Sequence, residues 1–426
     1  MAHRGGCNPV RVGKMPVRRH YPALGLFFHN QCTGVSYMDT LNELIEVAGD
    51  PGAYARRIRA SGRSVIGYYC SYAPEEIIHA AGLHPVRLFG TGGDPGIADR
   101  HLQAYCCSLV RGALAESLAG GLDYLGGTVF PHTCDSIQRL SDIWRLNTCH
   151  GFFADVVLPV KLTSESARQY LIDVLQKFKK ELEAHFGLSV TKEGLGSSVR
   201  TYNVIRSCLK EIYELKSRNP GLLTGSELFS IVKASMVMDR EVLKDRLKAL
   251  LQELRESAPG RDARGGRLML VGNACNHPDI YDLIERSGGQ VVWDDLCTGT
   301  RWFSGTIREE SDSLASIAER LFERQICPSK HKSPTARGGH LVAQARKHGV
   351  EGVIFLYLKF CDPHSFDYPY LKGYLDGAGI PSMLLEIEDR LPPQGQILTR
   401  IETFTQMLGP GTNDALTGTS QTGREG

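Results

Sequence analysis

The sequence predicts an α/β protein made of two doubly wound parallel-sheet domains joined by a helical connector. Three observations carry this expectation. Short apolar runs alternate with helical segments from about residue 62 to 160, the pattern of parallel strands linked by right-handed crossovers. The same alternation returns from about residue 267 to 385, while the stretch 164–257 shows only helical periodicity with mixed charge. The length of 426 residues suits two or three domains and is ample for a buried core.

In the first half, Ser64–Tyr69 is a buried strand and Pro74-Glu75-Glu76 opens a helix, with proline in a first-turn position and acids at the positive end of the dipole. Pro85–Phe89 is the next strand, and Leu102–Leu118 the next helix. Thr128–Phe130 is a strand, Asp135–Leu146 a helix, and Val156–Val160 the closing strand. Tyr170–Phe186 and Arg240–Leu254 are amphipathic helices of the connector. In the second half the strands are Arg267–Gly272, Gln290–Trp293, Gly352–Leu358 and Pro381–Leu385. The helices are Pro278–Arg286, Ser313–Glu323 and Tyr370–Leu375. The expected organisation is a disordered or extended start at 1–38, a first α/β domain at 39–163, a helical connector at 164–262, a second α/β domain at 263–408 and a disordered tail at 409–426. The start holds Arg4, Arg11, Lys14, Arg18 and Arg19 but no acid.

Composition narrows the function. Apolar residues make up 42% and charged residues 23%, and the net charge is +2. Near-neutrality argues against nucleic acid as the main partner. No run of about 18 apolar residues occurs, so no membrane partner is expected. The 12 cysteines are too many to ignore in a chain too large to need disulfide staples, and they point to a reduced, cytoplasmic protein that binds metal or does redox chemistry. Taken singly, any of them could be a buried thiol acting as a small hydrophobe.

Their placement favours the sharper reading. Ligands of open α/β sheets bind beyond the carboxyl ends of the strands. Cys70, Cys134, Cys275, Cys297 and Cys361 each follow a predicted strand. Structural zinc favours paired CxxC knuckles, and there is no CxxC pair here. Thiolates gathered from distant loops suit an iron–sulfur cluster between the two halves. Gly90-Thr91-Gly92-Gly93-Asp94 lacks the lysine of a phosphate-binding loop, so no ATP site is expected. His132 and His364 lie close to Cys134 and Cys361 and are candidate proton donors, against the plainer reading of structural hydrogen-bonders.

At Gly67–Glu76, Cys107-Ser108-Leu109-Val110-Arg111, Thr133-Cys134-Asp135-Ser136 and Lys359-Phe360-Cys361-Asp362-Pro363 the chain resembles the D-component family of 2-hydroxyacyl-CoA dehydratases, which includes the cluster-binding subunits of benzoyl-CoA reductase. The likeness runs from about residue 62 to 405. It implies two flavodoxin-like domains, a helical part and a 4Fe–4S cluster on Cys107, Cys134 and Cys361. It also implies an ATP-hydrolysing iron–sulfur activator as electron donor. Asp294–Gly299, Ile326–His331 and Phe360–Pro369 look closer to the double-cubane cluster proteins of that superfamily, whose two cubanes share a bridging sulfide and six cysteines. For the further three, the strand-end rule favours Cys70 and Cys297, and Cys327 lies in a loop able to reach the cleft. Cys106 and Cys275 stand in reserve, and Cys149 and Cys208 are disfavoured.

The leading expectation is thus an ATP-dependent, oxygen-sensitive reductase component acting on a small substrate, as a homodimer or as a heterodimer with a related subunit. The alternatives are a single-cluster subunit of a 2-hydroxyacyl-CoA dehydratase or benzoyl-CoA reductase, a non-catalytic electron carrier, and a zinc or thiol-rich structural protein.

Overall fold

Runs of β-branched and aromatic residues form the strands at the centre of each half, and side-chain caps start half of the helices around them. A computed structural model describes residues 37–408, apart from 92–93, 149–150, 163, 258–264, 311, 325–326, 331–332, 389–390 and 392. The tail at 409–426, most of the expected extension, and Cys7, Cys32 and Cys149 lie outside the described residues. Tyr37 and Met38 already belong to the first helix.

Helices α1 (Tyr37–Gly49) and α2 (Pro51–Ala60) lead in; Asp50 caps α2 by accepting from the Ala53 amide at 2.8 Å. Then follow β1 (Val65–Tyr68), α3 (Glu75–Ala80), β2 (His84–Arg87), α4 (Pro95–Ala98), α5 (Ser108–Leu118), β3 (Leu125–Pro131), α6 (Asp135–Asn147) and β4 (Phe152–Val156). The connector is α7 (Glu165–Phe186), α8 (Lys192–Arg218), α9 (Gly225–Ser235) and α10 (Arg240–Glu256), whose starts are capped by Ser164, Thr191, Thr224 and Asp239. The second half runs β5 (Gly266–Gly272), α11 (Asp279–Arg286), β6 (Gly289–Asp295), α12 (Thr300–Phe303), α13 (Ser313–Glu323), α14 (Pro334–Lys347), β7 (Gly352–Leu358), α15 (Asp362–Gly377), β8 (Ser382–Ile387) and α16 (Gln394–Met407).

Both sheets are four-stranded and wholly parallel, in the orders β2-β1-β3-β4 and β6-β5-β7-β8. The two orders are the same topology repeated, as expected for two flavodoxin-like units. Parallel strands must bury both faces. Successive residues accordingly enter different cores: Val65 and Phe130 join one, Ile66 and Val129 the other. Helix α5 packs close on the loop after β2. A side chain on Gly112 would meet the Gly90 carbonyl at 1.9 Å, and Gly90 itself has φ +63°. That contact lets α5 lie directly against the loop. Among the described residues no helix is long and apolar enough to cross a membrane.

Several sequence expectations need correction. The closing strand of the first half is Phe152–Val156, not Val156–Val160, because its ladder to β3 pairs Phe152–Val156 with Gly127–Pro131. Helix α5 starts at Ser108 rather than Leu102, and α15 spans Asp362–Gly377 rather than Tyr370–Leu375. In both cases a cysteine is the residue at the cap. Helices α1, α2, α14 and α16 were not anticipated.

Glu75 and Glu76 do more than face the dipole of α3. Both are buried. Glu75 accepts from Arg240 Nη2 at 2.9 Å, from the Tyr202 hydroxyl at 3.3 Å and from Trp302 Nε1 at 2.7 Å. Glu76 pairs with Arg206. Burial alone would raise the Glu76 carboxyl, but Arg206 and Arg320 pull it below the usual range. One short helix start thereby joins the first domain to α8, α10 and α12.

Breaking a buried pair strands a charge. Glu75→Ala is expected to cost about 3–5 kcal/mol in denaturant unfolding of the full chain, because Arg240 stays buried without its carboxylate. Lys372→Ala, which breaks an exposed pair with Asp376, serves as control and should leave the unfolding midpoint nearly unchanged. Similar costs for the two would contradict this role for Glu75.

Candidate metal centre

Three of the predicted cysteines occupy the same local position. Cys107, Cys134 and Cys361 are the residues immediately before α5, α6 and α15. At such a position the free amides and the helix dipole favour negative charge. The amides of Val110, Ile137 and His364 lie toward the respective sulfurs and favour the thiolate, against the effect of burial. The chain reaches Cys361 through Phe360, whose φ of +64° makes it the one non-glycine in the left-handed region among the described residues.

The other three lie in loops. Cys70 follows β1, and the Thr133 hydroxyl donates to its sulfur at 3.4 Å. Cys297 follows β6; its amide donates to the Asn273 carbonyl at 3.1 Å and its carbonyl accepts from Ser71 Oγ at 2.9 Å. Cys327 follows α13, and its carbonyl accepts from the Lys330 amide at 3.0 Å.

The six thiols form one electrostatic neighbourhood. Burial pushes the Cys107 thiol up to about 12, and Cys134 pushes the same way. Burial also pushes Cys134 up to about 12, reinforced by Cys361, Cys70 and Cys327. Cys361 is raised by burial, then by Cys107 and Cys297. Cys327 is raised by burial and by Cys297 and Cys70, against the pull of Arg301. Each thiol of this set acts on, or is acted on by, others of the same set. The remaining described thiols stand outside it. Cys275 is raised to about 12 by burial and faces Asp294 and Lys233, and Cys208 faces Lys248 and Glu211. Cys106 adjoins Cys107 but points to Gln103, its sulfur 3.7 Å from Oε1.

Buried cations border the same place. Arg301 is 1% exposed and Lys330 2%. Arg301 donates to the Gly272 carbonyl and pairs with Asp295 at 3.6 Å; against burial, Cys297, Asp295 and Cys327 favour its charge. Among the described residues, Lys330 reaches only the Leu158 carbonyl, at 3.3 Å. Burial lowers it, and Cys70, Cys327 and Cys134 oppose that. A buried ammonium without a carboxylate fits a site that takes on negative charge. Among the described residues no three His, Cys, Asp or Glu side chains close on a point as ligands of one ion do. The donor types, soft thiols on separate loops beside buried cations and with no paired CxxC knuckle, suit a multi-atom thiolate-bound cluster better than a single tetrahedral zinc.

The two predicted histidines differ. His132 Nε2 bonds Asp155 Oδ1 at 2.9 Å, and Asp155 also takes Ser141 and Arg145. His364 is buried edge-on to Tyr357, with ring centroids 4.9 Å apart. Its Nδ1 has no hydrogen-bond partner among the described residues. Burial, with Arg301 and Arg337 nearby, keeps its imidazole neutral. Sequence reasoning missed Asn273, which accepts from the Leu358 amide at 2.9 Å and bonds Cys361, so that it ties the ends of β5, β6 and β7 together. It also missed Arg301 and Lys330. Applying the strand-end rule to every polar residue, not only to cysteines, would have found Asn273.

A cavity of about 1040 Å³ opens between the two sheets at their carboxyl ends. Gly90, Ser108, Asn276, Lys359 and Glu386 are among its lining, so it begins one residue from Cys107 and two from Cys361. Asn276 Nδ2 donates across it to the Phe89 carbonyl at 2.8 Å.

A family model described as 2-hydroxyglutaryl-CoA dehydratase, D-component, matches residues 70–408. The chain is 26% identical to the (R)-phenyllactyl-CoA dehydratase beta subunit of Clostridium sporogenes, covering 86% of this chain and 98% of that one. It is 24% identical to the beta subunit of (R)-2-hydroxyglutaryl-CoA dehydratase from Acidaminococcus fermentans, with the same coverages. It is 28% identical to one subunit of the benzoyl-CoA reductase of Thauera aromatica, over 81% of this chain and 91% of that one.

The left-handed Phe360 gives a local test. A left-handed non-glycine costs about 1–2 kcal/mol, and glycine's extra backbone freedom costs about 0.5–1 kcal/mol. Phe360→Gly should therefore leave urea unfolding of the metal-free chain unchanged or raise stability by up to about 1 kcal/mol. Phe360→Val should lower it by about 1 kcal/mol or more. The reverse order would remove the strain at this turn.

Proposed function

The chain belongs to the 2-hydroxyglutaryl-CoA dehydratase D-component family, and from that premise we propose that it is an iron–sulfur reductase component with a double-cubane cluster between its two sheets. Cys107, Cys134 and Cys361 would hold one cubane, and Cys70, Cys297 and Cys327 the other. The observation that carries this reading is that Cys107, Cys134 and Cys361 each begin a helix, with Cys70 bonded to Thr133 beside Cys134 and Cys297 bonded to Ser71 beside Cys70, next to buried Arg301 and Lys330. When bound, such a cluster supplies electrons at low potential.

The chain's own residues do the rest. The helix starts behind Cys107, Cys134 and Cys361 stabilise thiolate, and Arg301 and Lys330 add positive charge where water is excluded. The cavity beside Ser108 and Lys359 admits the substrate to the same edge. His132, held by Asp155, and the neutral His364 are the proposed proton carriers. The electrons come from a separate ATP-hydrolysing iron–sulfur activator, and the chain works in the reducing cytoplasm as a homodimer or with a related subunit.

A second reading has its own support. The relatives named above are subunits of two CoA-thioester dehydratases and of a reductase. On that reading the chain is one subunit of such an enzyme, with a single 4Fe–4S cluster on Cys107, Cys134 and Cys361.

Cysteine variants separate the two. After anaerobic purification, Cys107→Ala, Cys134→Ala and Cys361→Ala should each lose most bound iron on either reading. Cys297→Ser should keep about half on the double-cubane reading and all of it on the single-cluster one. Cys275→Ala should match the unaltered chain on both. Full iron in all three alanine variants of the first set would reject the assignment.

A further inference from the structure

Arg324 stands at the end of α13, three residues before Cys327, and its side chain is buried. Its two terminal nitrogens go to different places: the loop that carries Cys70, and α12, the helical turn that directly follows the Cys297 loop. Nη1 donates to the carbonyl of Ser71, the residue after Cys70. Nη2 donates to the carbonyl of Arg301, four residues after Cys297. The guanidinium lies over the Tyr72 ring, 4.5 Å from its centroid. One side chain therefore spans the three loops that carry Cys70, Cys297 and Cys327. The Ser71 hydroxyl adds a direct link to the Cys297 carbonyl. The carbonyls that Arg324 engages belong to neither the Cys107, Cys134 nor Cys361 loop.

The chemistry requires arginine. Its planar fork presents several donors in fixed geometry and can hold two carbonyls at once, whereas an ammonium on a flexible stem gives no such fixed pair. The loops come from β1, from β6 and from the end of α13; among the described residues no ladder hydrogen bonds join them, and besides Arg324 the Ser71 and Glu75 contacts link only the Cys70 and Cys297 sides.

We infer that Arg324 is the positioning residue that holds the Cys70, Cys297 and Cys327 loops as one ligand set, separate from the set at the three helix starts. The inference rests on the proposal that these cysteines are ligands. Its test does not need the cluster, so the two can fail independently.

The test is alkylation of the folded, metal-free full chain by iodoacetamide, read at each cysteine by mass spectrometry. In Arg324→Gln, Cys70, Cys297 and Cys327 should react about tenfold faster, while Cys107, Cys134 and Cys361 change by less than about twofold. Arg324→Lys keeps the charge and loses the fork, and should show the same selective rise. A uniform rise at all six thiols, no rise at any, or unaltered behaviour in the lysine variant would overturn the inference. If the glutamine variant does not fold, the lysine variant carries the comparison alone. A selective rise in a chain that binds no iron would uphold Arg324's role and count against the cluster proposal instead.

Discussion

Glu75 is the contact on which the arrangement depends. Its carboxylate lies at the start of α3, just beyond the Cys70 loop, and takes bonds from the connector through Arg240 and Tyr202 and from the second domain through Trp302. None of these groups can return to water without opening the interface, and a buried charge that loses its partner is costly. The directional bonds thus fix how the two sheets face each other in a way that apolar packing alone would not. Trp302 lies in α12, directly after the Cys297 loop, so the same carboxylate that joins the domains also ties two cysteine loops together.

Given that setting, the thiols gather by simple rules. Two sheets of the same strand order face one cleft with their carboxyl ends, and the residue that ends a strand or begins a helix there points into it. Three cysteines begin helices, where backbone amides favour anions. Arg301 and Lys330 supply positive charge at the same edge. On the proposed function, this edge would hold a negative, thiolate-bound group beside the cavity.

Much of this was legible in the sequence because it rests on local pattern. Strands such as Gly352–Leu358 are continuous apolar runs, and the helix Ser313–Glu323 matches its periodicity from end to end. The positions of Cys134, Cys297 and Cys361 just after predicted strands were legible too, because a strand's end is a local signal. What stayed hidden depends on tertiary contact. Glu75 and Glu76 look like ordinary first-turn acids, since nothing local marks them as buried. Arg324 ends an amphipathic helix as an exposed arginine would. The shift of the fourth strand to Phe152–Val156 follows from its register with β3, which no single segment encodes. The true starts of α5 and α15 follow from the cysteine caps, which periodicity does not see.

The central claim is that one chain holds a bridged pair of cubanes. Its most direct test is the iron and acid-labile sulfide content of the unaltered chain, purified without oxygen. The account predicts about eight iron atoms per chain with a comparable amount of sulfide. About four iron atoms would leave only the single-cluster reading, and zinc in place of iron would contradict the account outright.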